Sequence, residues 1–171
     1  PAKMPYTRPT TDIAKEGLFN VLQHKIDIPS LETLDLFGGT GSISYELASR
    51  GAQQLTIVEK DPAMFEFIKK TAASLHIDNL HMVKMDVFKF IDQCKSSFDF
   101  IFAGPPYALT TIDDLPGLIF EKGLLKPGGW FVLEHTPRND YKTFTGYKME
   151  KNYGTTIFSV FVREPNSPDP A

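Results

Sequence analysis

The sequence is poor in cysteine and in long apolar runs, and both shortages limit what the protein can be. Its 171 residues include one cysteine, Cys94, so no disulfide bond forms within the chain and nothing argues for secretion. No apolar run approaches the roughly 18 residues of a membrane span, and no signal-like segment follows Pro1. The four histidines and Cys94 lack the spacing of metal ligands. We therefore expect a cytoplasmic protein with no bound metal and no membrane partner.

A large excess of charge of one sign is also missing. The formal net charge is −3, which excludes a polycation. Within residues 122–163, however, basic residues outnumber acidic ones, and this segment either faces phosphate groups or forms an ordinary solvated surface. The basic residues are Lys122, Lys126, Arg138, Lys142, Lys148, Lys151 and Arg163, and the acidic ones are Glu134, Asp140 and Glu150.

Strand and helix patterns alternate along the chain, which predicts an α/β fold with a mostly parallel sheet. We expect one domain over residues 1–163 and a disordered, proline-rich tail over residues 164–171. The first predicted helix is capped by Thr11 or Asp12 and runs to about His24. The others are Ser42–Arg50, Pro62 to about Leu75 and Val87–Cys94, and Asp114–Lys122 lies in a further helical region. The predicted strands are Leu31–Phe37, Gln54–Glu59, Leu80–Met85, Phe98–Ala103, Trp130–His135, Lys148–Tyr153 and Thr155–Val162, the last two forming a hairpin at Gly154.

A glycine-rich loop, Asp35-Leu-Phe-Gly-Gly-Thr-Gly41, follows the first strand and opens a helix. Two further acids, Glu59 and Asp86, stand near the ends of the next two strands, where Glu59 suits the hydroxyls of a ribose and Asp86 an amino group of adenine. A dinucleotide is one candidate ligand, but Asp35 would repel its pyrophosphate. S-Adenosylmethionine has an ammonium group, a sulfonium and no phosphate, so the charges favour it. Taken singly, Asp86 is also a good helix N-cap.

The fourth predicted strand ends at a double proline followed by an aromatic ring, in the segment Phe98-Asp-Phe-Ile-Phe-Ala-Gly-Pro-Pro-Tyr107. Proline cannot donate to a sheet, so the strand stops there in a stiff loop. Backbone carbonyls beside a ring that stacks on a flat base suit the methylation of an exocyclic amino group. The alternative for Tyr107 is a ring packed over the loop.

Together these segments resemble the class I S-adenosylmethionine-dependent methyltransferases, and more narrowly the small bacterial family that methylates a guanine N2 amino group in 16S ribosomal RNA. The resemblance spans about Arg8 to Val162. It is carried by Arg8-Pro-Thr-Thr-Asp12 with Glu16-Gly-Leu-Phe-Asn20, the loop Asp35–Gly41 with Glu46–Ala52, Val58-Glu-Lys-Asp61, Phe98–Tyr107 and Tyr153-Gly-Thr-Thr-Ile157.

The resemblance implies a Rossmann-like class I methyltransferase fold, with a mostly parallel seven-stranded sheet, one antiparallel strand and a C-terminal β-hairpin. It implies S-adenosylmethionine as the cofactor and RNA as the partner, either 16S ribosomal RNA or the small ribosomal subunit; a monomer is the favoured state. The implied catalytic loop is Gly104, Pro105, Pro106 and Tyr107. The implied cofactor site is Arg8, Thr11, Asp35, Phe37, Gly38, Gly39, Gly41, Glu59, Lys60, Asp86 and Val87.

Two features depart from the family. Its basic, glycine-rich β segment precedes the first helix, and we expect this chain, which starts at Pro1, to lack it. The family's loop begins with aspartate before the prolines, whereas this chain has Gly104. That aspartate accepts a hydrogen bond from the target amine, so its loss predicts slower transfer, by roughly 30- to 1000-fold, unless a water or a neighbouring group replaces it.

Several alternatives fit parts of the sequence. A protein that binds the cofactor without catalysis, such as a ribosome-assembly or RNA-binding factor, is supported by Gly104. A dehydrogenase with a variant dinucleotide loop is opposed by Asp35 and by the Pro-Pro-Tyr loop. DNA adenine and protein glutamine methyltransferases use similar loops, and residue 104 does not separate them from the RNA enzymes.

Overall fold

The computed structural model describes residues 10–170, which form a single seven-stranded sheet with helices on both faces. The strand order is β3-β2-β1-β4-β5-β7-β6. All pairs from β3 to β5 are parallel, and β7 runs antiparallel to both β5 and β6. The predicted fold class is therefore confirmed, including the single antiparallel strand and the C-terminal hairpin.

The strands are β1 Glu32–Leu36, β2 Gln54–Val58, β3 Leu80–Val83, β4 Phe98–Ala103, β5 Leu125–His135, β6 Tyr147–Tyr153 and β7 Thr156–Val162. The α-helices are α1 Asp12–Lys25, α2 Ser42–Ser49, α3 Pro62–Ser74, α4 Val87–Gln93 and α5 Leu115–Glu121. Short 3-10 turns at Ile28–Ser30 and Ile112–Asp114 precede β1 and α5. No helix within residues 10–170 combines the length and the apolarity needed to cross a bilayer.

Local capping signals set where the helices start. Thr11 caps α1 by accepting a hydrogen bond from the Ala14 N–H, and Asp61 caps α3 in the same way through Met64. Pro62 occupies the first turn of α3, where its missing N–H costs nothing. These boundaries match the predicted ones because a cap depends on residues a few positions apart.

Two apolar layers enclose the sheet and fix its position. One packs α1 and α2 on Phe100, Phe102 and Val132. The other packs α4 and α5 on Ile101, Phe131 and Leu133. Neighbouring residues of β4 and β5 alternate between the two layers, as expected for strands covered on both faces. This alternation decides which side chains meet at the strand ends.

Strand β5 starts earlier than the sequence predicts. The segment Lys126-Pro-Gly-Gly129 was expected to be a turn before the strand, but Leu125 already pairs with Phe98, and the pairing resumes at Trp130 with Phe100. Residues 126–129 therefore bulge within the strand, and Gly128 and Gly129 exchange backbone hydrogen bonds with Arg163. Pairing at both ends overrides the local turn preference.

Other expectations met different outcomes. Ile13 was expected on the buried side of α1, but it is 76% exposed; Ala14, Leu18, Phe19 and Leu22 are buried instead.

Residues 164–170 contain no helix or strand. The Arg163 guanidinium donates to the carbonyl of Ser167 and to the carboxylate of Asp169 in this segment. The disorder expected for the tail stays a prediction.

Candidate functional site

The register of the sheet brings four sequence-distant residues into one row at the carboxyl ends of the strands. Leu36 of β1 pairs with both Val58 and Ala103, and Ala103 pairs with Leu133 of β5. The next residue on each strand therefore lies in the same row. We call Phe37, Glu59, Gly104 and Glu134 the strand-end row. Open α/β sheets bind their ligands at this edge.

Asp35 is a buried carboxylate just below this row. It is 3% exposed and accepts a hydrogen bond of 2.8 Å from the Ser44 hydroxyl at the start of α2. Burial raises the pKa of Asp35 from its usual 3.8 to about 8; the Ser44 bond opposes the rise, and the charges of Glu59 and Glu134 add to it. A positive group beside such a buried acid would favour its ionised form.

The glycine loop after β1 takes a conformation that suits a close ligand. Gly39 (φ +58°) and Gly41 (φ +82°) lie in the left-handed region that glycine adopts without cost, and Phe37 (φ +60°) is held in the same region, which is costly for a residue with a large side chain. A Cβ on Gly38 would approach the Ile57 side chain to 2.5 Å, so this position has no room for a larger residue. The loop ends at α2, whose first turn contains Ser44, the partner of Asp35.

Glu59 connects the glycine loop to the start of α3. One carboxylate oxygen accepts from the Gly39 N–H at 2.8 Å, and the other accepts from the Asp61 N–H at 2.9 Å. Each oxygen keeps a further lone pair, so the carboxylate can still accept from two hydroxyl groups. Glu59 therefore stands where the sequence predicts a ribose acceptor, already oriented by the backbone.

The other predicted cofactor residues differ in their burial and in the contacts that they make. Asp86 caps α4 by accepting from the Lys89 N–H through one carboxylate oxygen, so its capping role is confirmed. Thr11 caps α1, Val87 is buried and Lys60 is exposed. Phe37 packs edge-on against Phe88 with ring centroids 6.5 Å apart. Arg8 lies outside the described residues.

The Pro-Pro-Tyr loop leaves β4 beside this row. The Gly104 N–H points to the Leu36 carbonyl at 3.4 Å, and a turn closes with the Leu109 N–H donating to the Pro106 carbonyl at 3.0 Å. Pro105 is buried, whereas Tyr107 is 59% exposed. An exposed ring on a stiff loop is well placed to stack on a base.

Glu134 was not predicted as a site residue. It lies opposite Gly104 on β5, is 1% exposed, and accepts a hydrogen bond of 2.6 Å from the Thr10 hydroxyl. Its charge also contributes to the raised pKa of Asp35. One sequence feature could have pointed to Glu134: it is an acid that directly follows the apolar residues Trp130-Phe-Val-Leu133, a position at which an unpaired charge is costly.

The basic segment 122–163 is partly neutralised. Lys122 pairs with Asp92, Lys126 with Glu32 and Asp99, Lys142 with Asp140 and Glu150, and Arg163 with Asp169. These ion pairs account for four of the seven basic side chains. The charge count alone therefore does not define a phosphate-binding face. Within residues 10–170, no group of three or more His, Cys, Asp or Glu side chains is arranged to hold a metal ion.

Comparisons with known proteins agree with this architecture. The family described as conserved hypothetical protein 95 matches residues 1–162. The ribosomal RNA small subunit methyltransferase D of Buchnera aphidicola subsp. Baizongia pistaciae is 30% identical over 167 residues, which cover 93% of this chain and 83% of that protein.

Solved structures show the same fold. A hypothetical protein of Thermus thermophilus superposes with a TM-score of 0.80 at 26% identity, covering 92% of this chain and 90% of that one. An RNA methyltransferase of Salinibacter ruber, solved with S-adenosyl-L-homocysteine, superposes with a TM-score of 0.72 at 18% identity, covering 94% of this chain and 97% of that one. The sheet order is that of a class I methyltransferase.

Proposed function

This chain belongs to the conserved hypothetical protein 95 family, and we propose that it is an S-adenosylmethionine-dependent methyltransferase of ribosomal RNA. We further propose that its target is an exocyclic amino group, namely the N2 amino group of a guanine in 16S ribosomal RNA. The main supporting observation is that one edge of the sheet carries an acidic site beside the rigid Pro-Pro-Tyr loop.

The chemistry of this edge suits S-adenosylmethionine. When bound, this cofactor supplies a methyl group on a positively charged sulfur. Asp35 would hold its ammonium group, and Glu59 would accept hydrogen bonds from its ribose. Burial, together with the charges of Glu59 and Glu134, raises the pKa of Asp35, so the site favours a ligand with positive groups. A pyrophosphate, which a dinucleotide would bring, would meet repulsion there.

Positioning accounts for most of the proposed catalysis. Transfer between two held groups gains chiefly from proximity and from the exclusion of water, and a strong base is not required. The Pro105 carbonyl would accept one hydrogen bond from the target amine, and the Tyr107 ring would stack on the base. The base must leave its own stack to reach this edge.

Alanine at Tyr107 is expected to lower kcat/KM for RNA roughly 5- to 150-fold, since stacking contributes about 1–3 kcal/mol per base. Cofactor affinity should stay unchanged, because the ring is exposed and its proposed contact is with the base. The measurement is steady-state kinetics paired with calorimetric titration of S-adenosylmethionine. Phenylalanine at this position, which keeps the ring, is the matched control. Equal losses in Tyr107→Ala and Tyr107→Phe would contradict the stacking role.

The proposed activity is tested with small ribosomal subunits that lack the modification. Subunits are incubated with the protein and labelled S-adenosylmethionine, and nucleosides are identified by mass spectrometry after digestion. We expect N2-methylguanosine at one position. Label on another base, or on protein, would contradict the proposed target.

A second candidate is a ribosome-assembly or RNA-binding factor that binds the cofactor without using it. Gly104 favours this candidate, because the loop lacks the carboxylate found in the family. It predicts cofactor binding without incorporation of label into any subunit. Comparison of the wild type with Gly104→Asp also tests whether the missing loop carboxylate slows the transfer: the sequence-based expectation that it does is wrong if the wild type is as fast as the variant.

A further inference from the structure

Position 104 lacks a side chain, but a carboxylate occupies the space next to it. A Cβ built on Gly104 would lie 3.3 Å from Oε1 of Glu134 and 3.2 Å from a ring carbon of Phe102. Glu134 therefore brings its carboxylate next to the region that an aspartate side chain at position 104 would occupy. The two residues are neighbours because Ala103 and Leu133 pair in the parallel register of β4 and β5.

The Glu134 carboxylate is held firmly at this point. The residue is 1% exposed, and the Thr10 hydroxyl donates to Oε1 at 2.6 Å. Phe102 and Val132, two residues before Gly104 and Glu134, belong to the apolar layer on the α1 and α2 side, and they place Glu134 on that side as well. Asp35, whose pKa is raised chiefly by burial and also by the charges of Glu59 and Glu134, shares this face.

We propose that the Glu134 carboxylate replaces the missing loop acid as the catalytic residue that accepts an N–H hydrogen bond from the target amino group. The proposal rests on the proposed function, since it assigns a residue to the amine of that reaction. It deepens that function by placing the acceptor of the second N–H group on β5, while the Pro105 carbonyl accepts from the first.

The chemical step balances with this assignment. The lone pair of the amine nitrogen forms the new C–N bond while the C–S bond breaks, and the electron pair of that bond stays on sulfur as a neutral thioether. The nitrogen becomes positive and must lose a proton. Glu134, hydrogen-bonded to one of its two N–H groups, accepts that proton and passes it to water when the product leaves.

An aspartate side chain at position 104 would be crowded by its neighbours and would face a like charge. The 3.2 Å contact with the Phe102 ring carbon is closer than the usual 3.5–4.0 Å between non-bonded carbon atoms, and the 3.3 Å contact with Oε1 of Glu134 is also tight, so both side chains would have to shift by a few tenths of an ångström. A second carboxylate would also lie beside Glu134, and like charges at such a distance oppose each other. We therefore expect Gly104→Asp alone to be no faster than the wild type.

Three variants test the assignment by moving the carboxylate. Glu134→Gln keeps the shape and an oxygen for Thr10, and should lower kcat for methylation of the small subunit roughly 30- to 1000-fold. Adding Gly104→Asp to Glu134→Gln should raise kcat at least tenfold above that of Glu134→Gln alone. Glu32→Gln is the control: it makes the same change at the start of β1, at the end of the sheet opposite the strand-end row, and should leave kcat unchanged. A Glu134→Gln variant with wild-type kcat would overturn the proposal, and so would a double variant no faster than Glu134→Gln.

A binding measurement keeps this test separate from the identity of the RNA. The probes are S-adenosylhomocysteine and an analogue of S-adenosylmethionine that carries an amino group in place of the sulfonium methyl. The preference is the ratio of the protein's affinity for the analogue to its affinity for S-adenosylhomocysteine. If Glu134 faces the transferred methyl, this preference should fall at least tenfold in Glu134→Gln. An unchanged preference would overturn the assignment even where RNA is methylated. A fall in preference without any RNA methylation would support Glu134 and contradict the proposed function.

Discussion

Asparagine at Asp35 is expected to stabilise the free protein while weakening its binding of S-adenosylmethionine. Asn keeps the size of the side chain and an oxygen for Ser44, but it cannot ionise, whereas the Asp35 carboxyl, which is 3% exposed, ionises only at a cost in the free protein. In the complex the Asp35 carboxylate would face the cofactor's ammonium group, and Asn lacks that charge. A hydrogen bond to a charged group contributes about 1.5–3 kcal/mol, so the affinity should fall roughly 10- to 150-fold.

The stabilising effect has a defined pH dependence. The pKa of Asp35 is about 8 in the folded protein and near 3.8 when unfolded. Between these values the folded state holds a proton that the unfolded state has released, so the free energy of unfolding falls as the pH rises from about 4 to about 8. At pH 7 the penalty is up to roughly 4 kcal/mol, and Asp35→Asn removes it.

Thermal or urea unfolding of both proteins between pH 4 and pH 9, with calorimetric titration at pH 7, measures the two effects. The difference in stability should be near zero at pH 4 and should grow until about pH 8. A variant that is less stable at every pH, or one that binds the cofactor as tightly as the wild type, would contradict the role of Asp35.

Alanine at Glu59 is expected to weaken cofactor binding roughly 10²- to 10⁴-fold. The substitution removes the acceptor for two ribose hydroxyls, each contributing about 1.5–3 kcal/mol as a hydrogen bond to a charge. It also frees the Gly39 and Asp61 N–H groups that Glu59 now binds, and thereby loosens the loop that the cofactor contacts. Both effects act in the same direction.

Calorimetric titration of Glu59→Ala with S-adenosylmethionine tests this expectation. Glu66→Ala, which removes an exposed glutamate from α3, is the control for the loss of one acidic charge nearby. The far-ultraviolet circular dichroism spectrum of each variant should match that of the wild type. A Glu59→Ala protein that keeps its fold and binds within threefold of the wild type would show that Glu59 only anchors the loop.

Much of the fold could be predicted because its signals are local. The starts of α1, α3 and α4 follow from Thr11, Asp61-Pro62 and Asp86, each of which binds an N–H three residues further along the chain. Strand β4 matches its predicted bounds because the double proline stops it. The site at the carboxyl ends of the strands then follows from the parallel sheet.

Features that depend on strand register escaped prediction. Gly104 and Glu134 are thirty residues apart, and only the pairing of β4 with β5 makes them neighbours. That register itself passes through a bulge at residues 126–129, which the sequence marks as a turn. The partners of Lys126, which are Glu32 and Asp99, lie on other strands, so the count of basic residues overestimated the free positive charge.

Calorimetric titration of the wild-type protein with S-adenosylmethionine, S-adenosylhomocysteine and NAD tests the central claim most directly, since it needs no assumption about the RNA. We predict one site per chain for both sulfur nucleosides and no heat above dilution for NAD. Binding of NAD without binding of either sulfur nucleoside would contradict the assignment of this acidic edge.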